Sequence, residues 1–321
     1  MIVRFNILPQ VILALSMLAL PAKAADPVRI GAPNWASVEM TAQIIKAIVE
    51  QRLETEVVIV HADNDAIYNG MNNGTGPDVH PEAWLPNHQS YVERFGGGDG
   101  TIIVTESSYD AIQGICVNRV AFDEHGISAI HHLADPTLAA AFDSDGDGLG
   151  EIWIGAEGWL STDIERVRAK SYGYAETLEL IVSDEVDALA NLDTAIEQNR
   201  PFAFFCYGPH HMFQLHDLVL LEEPVHDPHR WVMITPDQDP NWLNKASIDV
   251  AWPPTEVHMA YTAALAVNRP EITELLESMQ LNSRLVSAWT YALEVDGVDP
   301  EMFARRWVKD REDLVNRWLG E

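Results

Sequence analysis

Sequence motifs for catalysis are missing from this chain of 321 residues. It has no Gly-x-Ser-x-Gly nucleophile elbow, no His-Glu-x-x-His zinc motif, no Cys-x-x-Cys pair and no phosphate loop ending in Gly-Lys. The histidines also lack the i, i+4 spacing with a third ligand that a zinc site needs. The sequence therefore predicts a binding protein and not an enzyme. An exported hydrolase without a recognisable motif is the alternative from another class.

Basic residues are few: 20 Lys and Arg stand against 49 Asp and Glu, which gives a formal net charge of −29. Such an acidic chain repels nucleic acid and anionic membrane surfaces, so we expect neither as a partner. The negative charges are spread along the chain and do not form an acidic tail. This pattern favours solubility as the role of the charge.

Cysteine is also scarce, with Cys116 and Cys206 as the two thiols. They could form one disulfide in an oxidising compartment, but spacing alone does not decide whether they lie close enough to pair.

Long apolar runs are confined to the N-terminus, where basic Arg4 precedes an apolar stretch from Ile7 to Leu20 and then Ala22-Lys23-Ala24. This order is typical of a cleaved secretory signal peptide. The apolar stretch is short for a membrane span, although an uncleaved anchor is the alternative. We therefore predict a signal peptide at 1–24 and a periplasmic mature protein that begins near Ala25.

Strand and helix patterns alternate through the rest of the chain, which predicts an α/β fold. Residues 28–31, 38–53 and 57–60 read as a strand, a helix and a second strand, the opening unit of a parallel sheet. Later strands are predicted at 102–105, 115–120, 201–205 and 257–264. Helices are predicted at 174–199, 270–279, 281–293 and 300–319.

Three short aromatic segments stand out because each places a large ring in a turn that contains Gly or Pro. The rings are Trp84, Trp159 and Tyr207. Loops at strand ends are common positions for ligand contacts, and several aromatic faces that meet at one point can hold a quaternary ammonium ion. The alternative is that these are ordinary core or loop aromatics.

An acidic loop has oxygen ligands at alternate positions, as in the first half of an EF-hand. The position of the usual bidentate Glu is occupied by Ile154, and Glu151 is the candidate substitute. The sequence leaves open a structural calcium ion or an acidic turn without metal; no other cofactor is expected. The candidate ligands are Asp143, Asp145, Asp147, Leu149 and Glu151.

Taken in order, several of these segments resemble the glycine betaine and quaternary-amine substrate-binding proteins of ABC importers. The resemblance spans nearly the whole mature chain. It rests on Trp84-x-Pro86-x-His88, Phe142-Asp143-x-x-Gly146-Asp147-Gly148, Gly158-Trp159, Phe204-Phe205-x-Tyr207-x-Pro209 and the segment from Pro253 to His258.

The resemblance implies a two-lobed type II periplasmic binding protein with a mixed sheet and flanking helices in each lobe. The ligand would lie in the cleft between the lobes, which would close by a hinge motion. Lobe one would hold residues 25–115 and 250–321, and lobe two residues 116–249. The partners implied are a small quaternary amine and the membrane permease of an ABC importer, with the protein itself a monomer.

The resemblance also assigns candidate ligand-binding residues to the two lobes. Trp84 and His88 would face the cleft from lobe one, and Trp159 and Tyr207 from lobe two, with Tyr207 where related glycine betaine binders often carry Trp. Trp35 occupies the position of a cage Trp in choline-binding relatives. A carboxylate on the ligand would meet His88, the backbone N–H groups of Leu160 and Ser161, and the Ser161 hydroxyl.

Glu157 would assist a pure cation and oppose a ligand carboxylate, or would point to solvent. Glycine betaine is the expected ligand, and choline, carnitine and trimethylamine N-oxide are the alternatives.

Overall fold

The computed structural model describes residues 26–321, so the predicted signal peptide lies outside the described residues. The strands in this part of the chain are β1 Val28–Ala32, β2 Val57–His61, β3 Val79–Leu85, β4 Ile102–Asn118, β5 Gly150–Trp153, β6 Leu178–Ile181, β7 Ala203–Gly208, β8 Leu218–Leu220, β9 Trp231–Val232, β10 Ser247–Ile248 and β11 Thr255–Thr262. The helices are α1 Ala36–Arg52, α2 Asn64–Asn73, α3 Gln89–Phe95, α4 Arg119–His125, α5 Pro136–Ala139, α6 Leu160–Tyr172, α7 Glu185–Glu197, α8 Met212–Leu215, α9 Trp242–Lys245, α10 Ala263–Asn268, α11 Pro270–Ser278, α12 Ser283–Glu294, α13 Pro300–Asp310 and α14 Glu312–Leu319.

One mixed sheet carries the fold, with strand order β2-β1-β3-β11-β4-β7-β5-β6 and β8 beside β4. Strand β1 runs parallel to β2 and β3, and β5 runs parallel to β6 and β7. Strand β11 is antiparallel to both β3 and β4. Mixed parallel and antiparallel pairing with helices on the faces is the α/β arrangement that the sequence predicted.

Strand β4 joins the two halves of the sheet. Its first part, 102–111, pairs with β11, and its second part, 112–117, pairs with β7. The prediction of two short strands in this stretch was wrong. Residues 108–110 pair with β11, and a bulge in the register between His258 and Ala260 carries the strand past 105–107, so β4 continues through this polar stretch.

The segment 174–199 is also corrected, because the prediction of one or two helices there missed strand β6. Gly173 ends α6 in a left-handed conformation with φ 89°, and Leu178 then pairs with Gly150 of β5. Of the predicted segment, Tyr174–Glu176 forms a single 3₁₀ turn and Glu185–Glu197 forms α7. Pairing with a neighbouring strand outweighed a composition rich in Leu and Glu.

The C-terminal helices return to the first half of the sheet. Helices α12 and α13 pack against α1, whose residues Ile44, Ile45 and Ile48 are buried. The chain thus leaves the first half through β4 and comes back through β11, so segments distant in sequence share one core. No helix within residues 26–321 combines the length and apolar character that a membrane crossing needs.

The two cysteines form a disulfide, which the sequence had left open. Cys116 in β4 and Cys206 in β7 have Cα atoms 5.6 Å apart and close a separation of 90 residues. The bond links the strand that joins the two halves to the strand that carries Tyr207.

Candidate functional site

A pocket lies where the two halves of the sheet meet. Its lining brings together every predicted ligand-binding residue except Glu157. The first half contributes the turn before α1, the start of α2 and the end of β3, and the second contributes the start of α6 and β7. The lining residues are Trp35, Asn64, Trp84, Asn87, His88, Gln113, Trp159, Leu160, Ser161, Phe205 and Tyr207.

Four aromatic rings form a chain of nearly perpendicular neighbours around this pocket. The ring centroids of Trp35 and Trp159 are 6.1 Å apart at an interplanar angle of 87°. Tyr207 stands 5.6 Å from Trp159 at 87° and 5.6 Å from Trp84 at 84°. All four residues are buried. We call these four residues the aromatic box; perpendicular walls can present their π-faces to one enclosed group.

Buried hydrogen bonds fix the walls of the aromatic box. The indole Nε1–H groups of Trp35 and Trp84 donate to Oε2 of Glu82, at 2.8 and 3.3 Å. Glu82 lies in β3 and is completely buried. Trp159 instead donates from Nε1 to Oδ1 of Asn34, at 2.9 Å, a contact between the two halves.

The fourth wall, Tyr207, is fixed by a hydrogen bond of its hydroxyl group. Its hydroxyl donates to Oε1 of Glu185 at 2.5 Å, and His210 Nε2 lies 3.3 Å from the same carboxylate oxygen. Burial, together with the charge of Glu185, raises the pKa of Tyr207 well above its ordinary value. The phenol therefore keeps its proton as a donor, and the ring remains neutral at the pocket wall.

His88 is placed as a hydrogen-bond donor. Its Nδ1 lies 2.8 Å from the Tyr68 hydroxyl, and burial raises the pKa of that phenol, so Tyr68 keeps a proton to donate. Burial, together with nearby His80, lowers the pKa of His88 well below its ordinary value, so its ring is neutral. In the tautomer whose Nδ1 accepts from Tyr68, the ring carries its proton on Nε2, which has no hydrogen-bond partner among residues 26–321.

The start of α6 supplies further donors. Trp159 caps the helix in an extended conformation, and Gly158 before it has φ 79°. That left-handed value favours glycine. A Cβ there would also lie 3.3 Å from Cβ of Asp63 in the first half. The first N–H groups of a helix have no intrahelical acceptor, so Leu160 and Ser161 bring free donors to the pocket.

An amide pair lines the pocket at the strand that joins the halves. Asn87 Nδ2 donates to Gln113 Oε1 at 2.7 Å, and Gln113 Nε2 donates back to Asn87 Oδ1 at 3.0 Å. Gln113 also donates to the Thr255 hydroxyl at 3.1 Å. Sequence reasoning missed both residues. Their signal is weak, because they lie 26 residues apart and isolated amides occur throughout the chain.

Glu157 lies outside this pocket. Its side chain is exposed and lines a neighbouring acidic cleft with Asp63, Asp65 and Asp163. As a result, the lining of the aromatic-box pocket contains no carboxylate.

The acidic loop brings together part of its predicted ligand set. Asp143, Asp145 and Glu151 place carboxylate oxygens within 4.8 Å of one another, whereas Asp147 is not part of this group. Asp147 Oδ1 accepts the backbone N–H of Leu149 at 2.8 Å. Asp143 accepts the N–H groups of Gly146 and Gly148 at 2.6 and 3.0 Å. These bonds fold the loop back on itself.

The fold is that of the substrate-binding proteins of ABC importers. A choline-binding protein of an ABC transporter, solved with choline, superposes with a TM-score of 0.71 at 20% identity, covering 92% of this chain and 91% of that one. Lactococcal OpuAC, solved closed with glycine betaine, superposes with a TM-score of 0.70 at 19% identity, covering 92% of this chain and 100% of that one. The predicted fold class is therefore confirmed.

The chain belongs to the OpuAC family, described as the substrate binding domain of ABC-type glycine betaine transport systems, which matches residues 26–310. The glycine betaine/proline betaine-binding periplasmic protein of Salmonella typhimurium is 20% identical over 269 residues, 81% of this chain and 76% of that protein. The glycine betaine-binding periplasmic protein OusX of Dickeya dadantii is 20% identical over 266 residues, 81% of this chain and 75% of that protein. The prediction of a transport binding protein and not an enzyme is confirmed by the family.

Proposed function

We propose that this protein binds glycine betaine for an ABC importer, with the trimethylammonium group inside the aromatic box. The observation that carries the proposal is a pocket lined both by four aromatic walls and by hydrogen-bond donors. A trimethylammonium group has no N–H, so aromatic faces are what can select it, at about 0.5–2 kcal/mol each.

The donors suit the other end of the ligand. His88 Nε2–H, the N–H groups of Leu160 and Ser161 and the Ser161 hydroxyl would bind a carboxylate, and the positive end of the α6 dipole would add to this. Because no acidic side chain lines the pocket, a ligand carboxylate meets no like charge there. This combination favours a zwitterion over a pure cation.

Choline is the second candidate, and Trp35 is the residue that favours it. It adds a fourth aromatic face to the three predicted from the resemblance to glycine betaine binders. A pure cation gains from each added face and needs no anion site. Carnitine and trimethylamine N-oxide remain further alternatives of the same class.

The test is calorimetric titration of the mature protein with glycine betaine, choline, carnitine and trimethylamine N-oxide. We expect glycine betaine to bind most tightly and each compound to be recovered unchanged. Tighter binding of choline would replace the first candidate by the second. Binding of none would refute the proposal, and turnover of any compound would favour the hydrolase alternative.

Two lobes would enclose the ligand, as the resemblance implies: residues 25–115 with 250–321, and residues 116–249. With this division, both lobes would contribute walls of the aromatic box, and the hydrogen bond from Trp159 to Asn34 would link them. A ligand that contacts both lobes favours their closed arrangement. We propose that the closed monomer then docks on the membrane permease. The molar mass of the liganded protein, measured by light scattering, would test whether it is a monomer.

A periplasmic location is supported by the named location of the Salmonella relative and by the disulfide, since such bonds persist in oxidising compartments. The N-terminal sequence of the exported protein would test cleavage near Ala25.

We further propose that the acidic loop holds a structural calcium ion, with Asp143, Asp145 and Glu151 as its grouped carboxylates. An ion bound only by the folded state raises stability. A chelator should then lower the melting temperature of the wild type and leave Asp145→Ala unchanged. Equal melting curves with and without chelator would make the loop an acidic turn without metal.

A further inference from the structure

Glu82 is a buried carboxylate with an unusually full set of donors. Besides the two indoles of the aromatic box, Oε2 accepts from Ser37 Oγ at 2.7 Å. Oε1 accepts from the Tyr109 hydroxyl at 3.2 Å. Thr41 Oγ1 lies 3.0 Å from Oε1 and 2.9 Å from the Ser37 carbonyl oxygen, so its one proton is shared between them. Since an ionised carboxylate accepts hydrogen bonds and donates none, this set of donors suits the charged form.

This carboxylate has no cationic partner in the described part of the chain. No Lys, Arg or His there forms an ion pair with it, and burial is the largest influence on its pKa, which it raises. His80 is the nearest basic group, and its Nδ1 accepts the backbone N–H of Glu82 at 3.2 Å. Burial lowers the pKa of His80 to about 3, so its ring is neutral. A buried charge without a partner is costly, and structures usually avoid it.

The charge stands directly behind two walls of the aromatic box. Trp35 and Trp84 turn the N–H edges of their rings to Glu82 while both residues line the pocket. A carboxylate on the N–H edge increases the electron density of an indole ring, and the low-dielectric surroundings preserve its attraction for a positive charge across the ring.

We propose that Glu82 is the counter-ion of the bound cation, acting through the indoles of Trp35 and Trp84. The proposal rests on the proposed function, because it needs a positively charged ligand in the aromatic box. Glu82 is thus a positioning residue that also sets specificity. With it, the pocket distinguishes a trimethylammonium group from an uncharged group of the same shape.

The test compares charged and uncharged ligands of one shape. Choline is paired with its carbon analogue, in which a tert-butyl group replaces the trimethylammonium group, and both are titrated against wild type and Glu82→Gln. Loss of the charge should weaken choline binding about tenfold to thirtyfold and leave binding of the carbon analogue nearly unchanged. If Glu82 only positions the two rings, both ligands lose affinity by the same factor, and the proposal is overturned. Unchanged choline affinity overturns it as well.

Tyr109→Phe is the matched control, since it removes one donor to Glu82 and keeps the carboxylate. It should preserve the preference for choline over the carbon analogue.

Acidification provides a second measurement that does not depend on the folding of Glu82→Gln. The other groups with shifted pKa values at this site stay neutral: the pKa values of the Tyr109 and Tyr207 phenols are raised, and those of His80 and His88 are lowered. Choline itself does not titrate. Its affinity for wild type should therefore fall on acidification, as Glu82 gains a proton at its raised pKa. A choline affinity that stays constant over the whole pH range in which wild type remains folded would contradict the proposal.

Failure of the proposed function has a different signature. Wild type would then bind neither choline nor glycine betaine at any pH. If only the counter-ion proposal fails, wild type still binds choline tightly, and Glu82→Gln affects choline and its carbon analogue alike.

Discussion

Replacing Trp159 by Leu should weaken glycine betaine binding by roughly a hundredfold. The substitution removes a buried aromatic wall that neighbours both Trp35 and Tyr207. Loss of one desolvated face costs about 2 kcal/mol. The Nε1 hydrogen bond to Asn34 across the two halves is lost too, which costs about 1 kcal/mol. The sum of about 3 kcal/mol corresponds to a change in Kd of between one hundredfold and two hundredfold.

Two variants separate these contributions. Trp159→Phe keeps an aromatic face but loses the donor to Asn34, so its Kd should rise only about fivefold. Trp153→Phe is the matched control, because Trp153 packs against Trp159 at 5.7 Å between ring centroids but does not line the pocket. Its Kd should stay near the wild-type value.

Calorimetric titration gives these Kd values once circular dichroism shows that each variant is folded. If Trp159→Leu binds within twofold of wild type, or if the Leu and Phe variants bind alike, Trp159 does not act on the ligand through its aromatic face.

Three more predictions concern other groups. His88→Ala should weaken the binding of glycine betaine about tenfold and leave the binding of choline nearly unchanged in the same titration, since only glycine betaine has a carboxylate for the Nε2 donor. Equal losses of affinity for the two ligands would show that His88 does not bind the carboxylate. Replacing both Cys116 and Cys206 by Ala should lower the free energy of unfolding in urea by about 4–5 kcal/mol, as expected for a loop of 90 residues; a change below about 1 kcal/mol would contradict this. Burial raises the pKa of Glu82 in the folded protein above its value in the unfolded chain. Protonated Glu82 therefore contributes to folding stability below the unfolded pKa, and this contribution is lost as pH rises through the folded pKa. The melting temperature of Glu82→Gln relative to that of wild type, both without ligand, should therefore increase as pH rises, because the Gln side chain does not ionise; a relative melting temperature that increases on acidification would contradict this sign.

The aromatic box could be predicted from sequence because its residues lie in recognisable segments. Trp84, Trp159 and Tyr207 each stand near Gly or Pro in the sequence, although Trp84 and Tyr207 lie near the ends of β3 and β7 and not in turns. The order of these segments also supplied the resemblance to a family. The structure brings these residues to one pocket, and their contacts with a ligand stay a prediction.

Glu82 could not be predicted, although it precedes Trp84 by only two residues. Its role depends on Trp35, which lies 47 residues away, and on donors from α1 and β4. A single Glu in a strand gives no sign that five donors will surround it. Gln113 was missed for the same reason, because its partner Asn87 is brought to it only by the fold.

Errors in the fold arose where tertiary pairing outweighed local pattern. Residues 106–110 are polar and lie between the two strands predicted for this stretch, but they belong to β4 because 108–110 pair with β11 and a bulge carries the strand past 105–107. Leu178–Ile181 has a composition that suits a helix, but β5 offers it a parallel partner.

The central claim is that the aromatic box holds a quaternary ammonium group while the opposite side of the pocket holds an anion. A crystal structure of the protein grown with glycine betaine tests it most directly. We expect the three methyl groups within about 6 Å of the ring centroids of Trp35, Trp84, Trp159 and Tyr207, with the carboxylate at His88 Nε2 and the N–H groups of Leu160 and Ser161. A ligand bound elsewhere, or one bound with its carboxylate inside the aromatic box, would contradict the account.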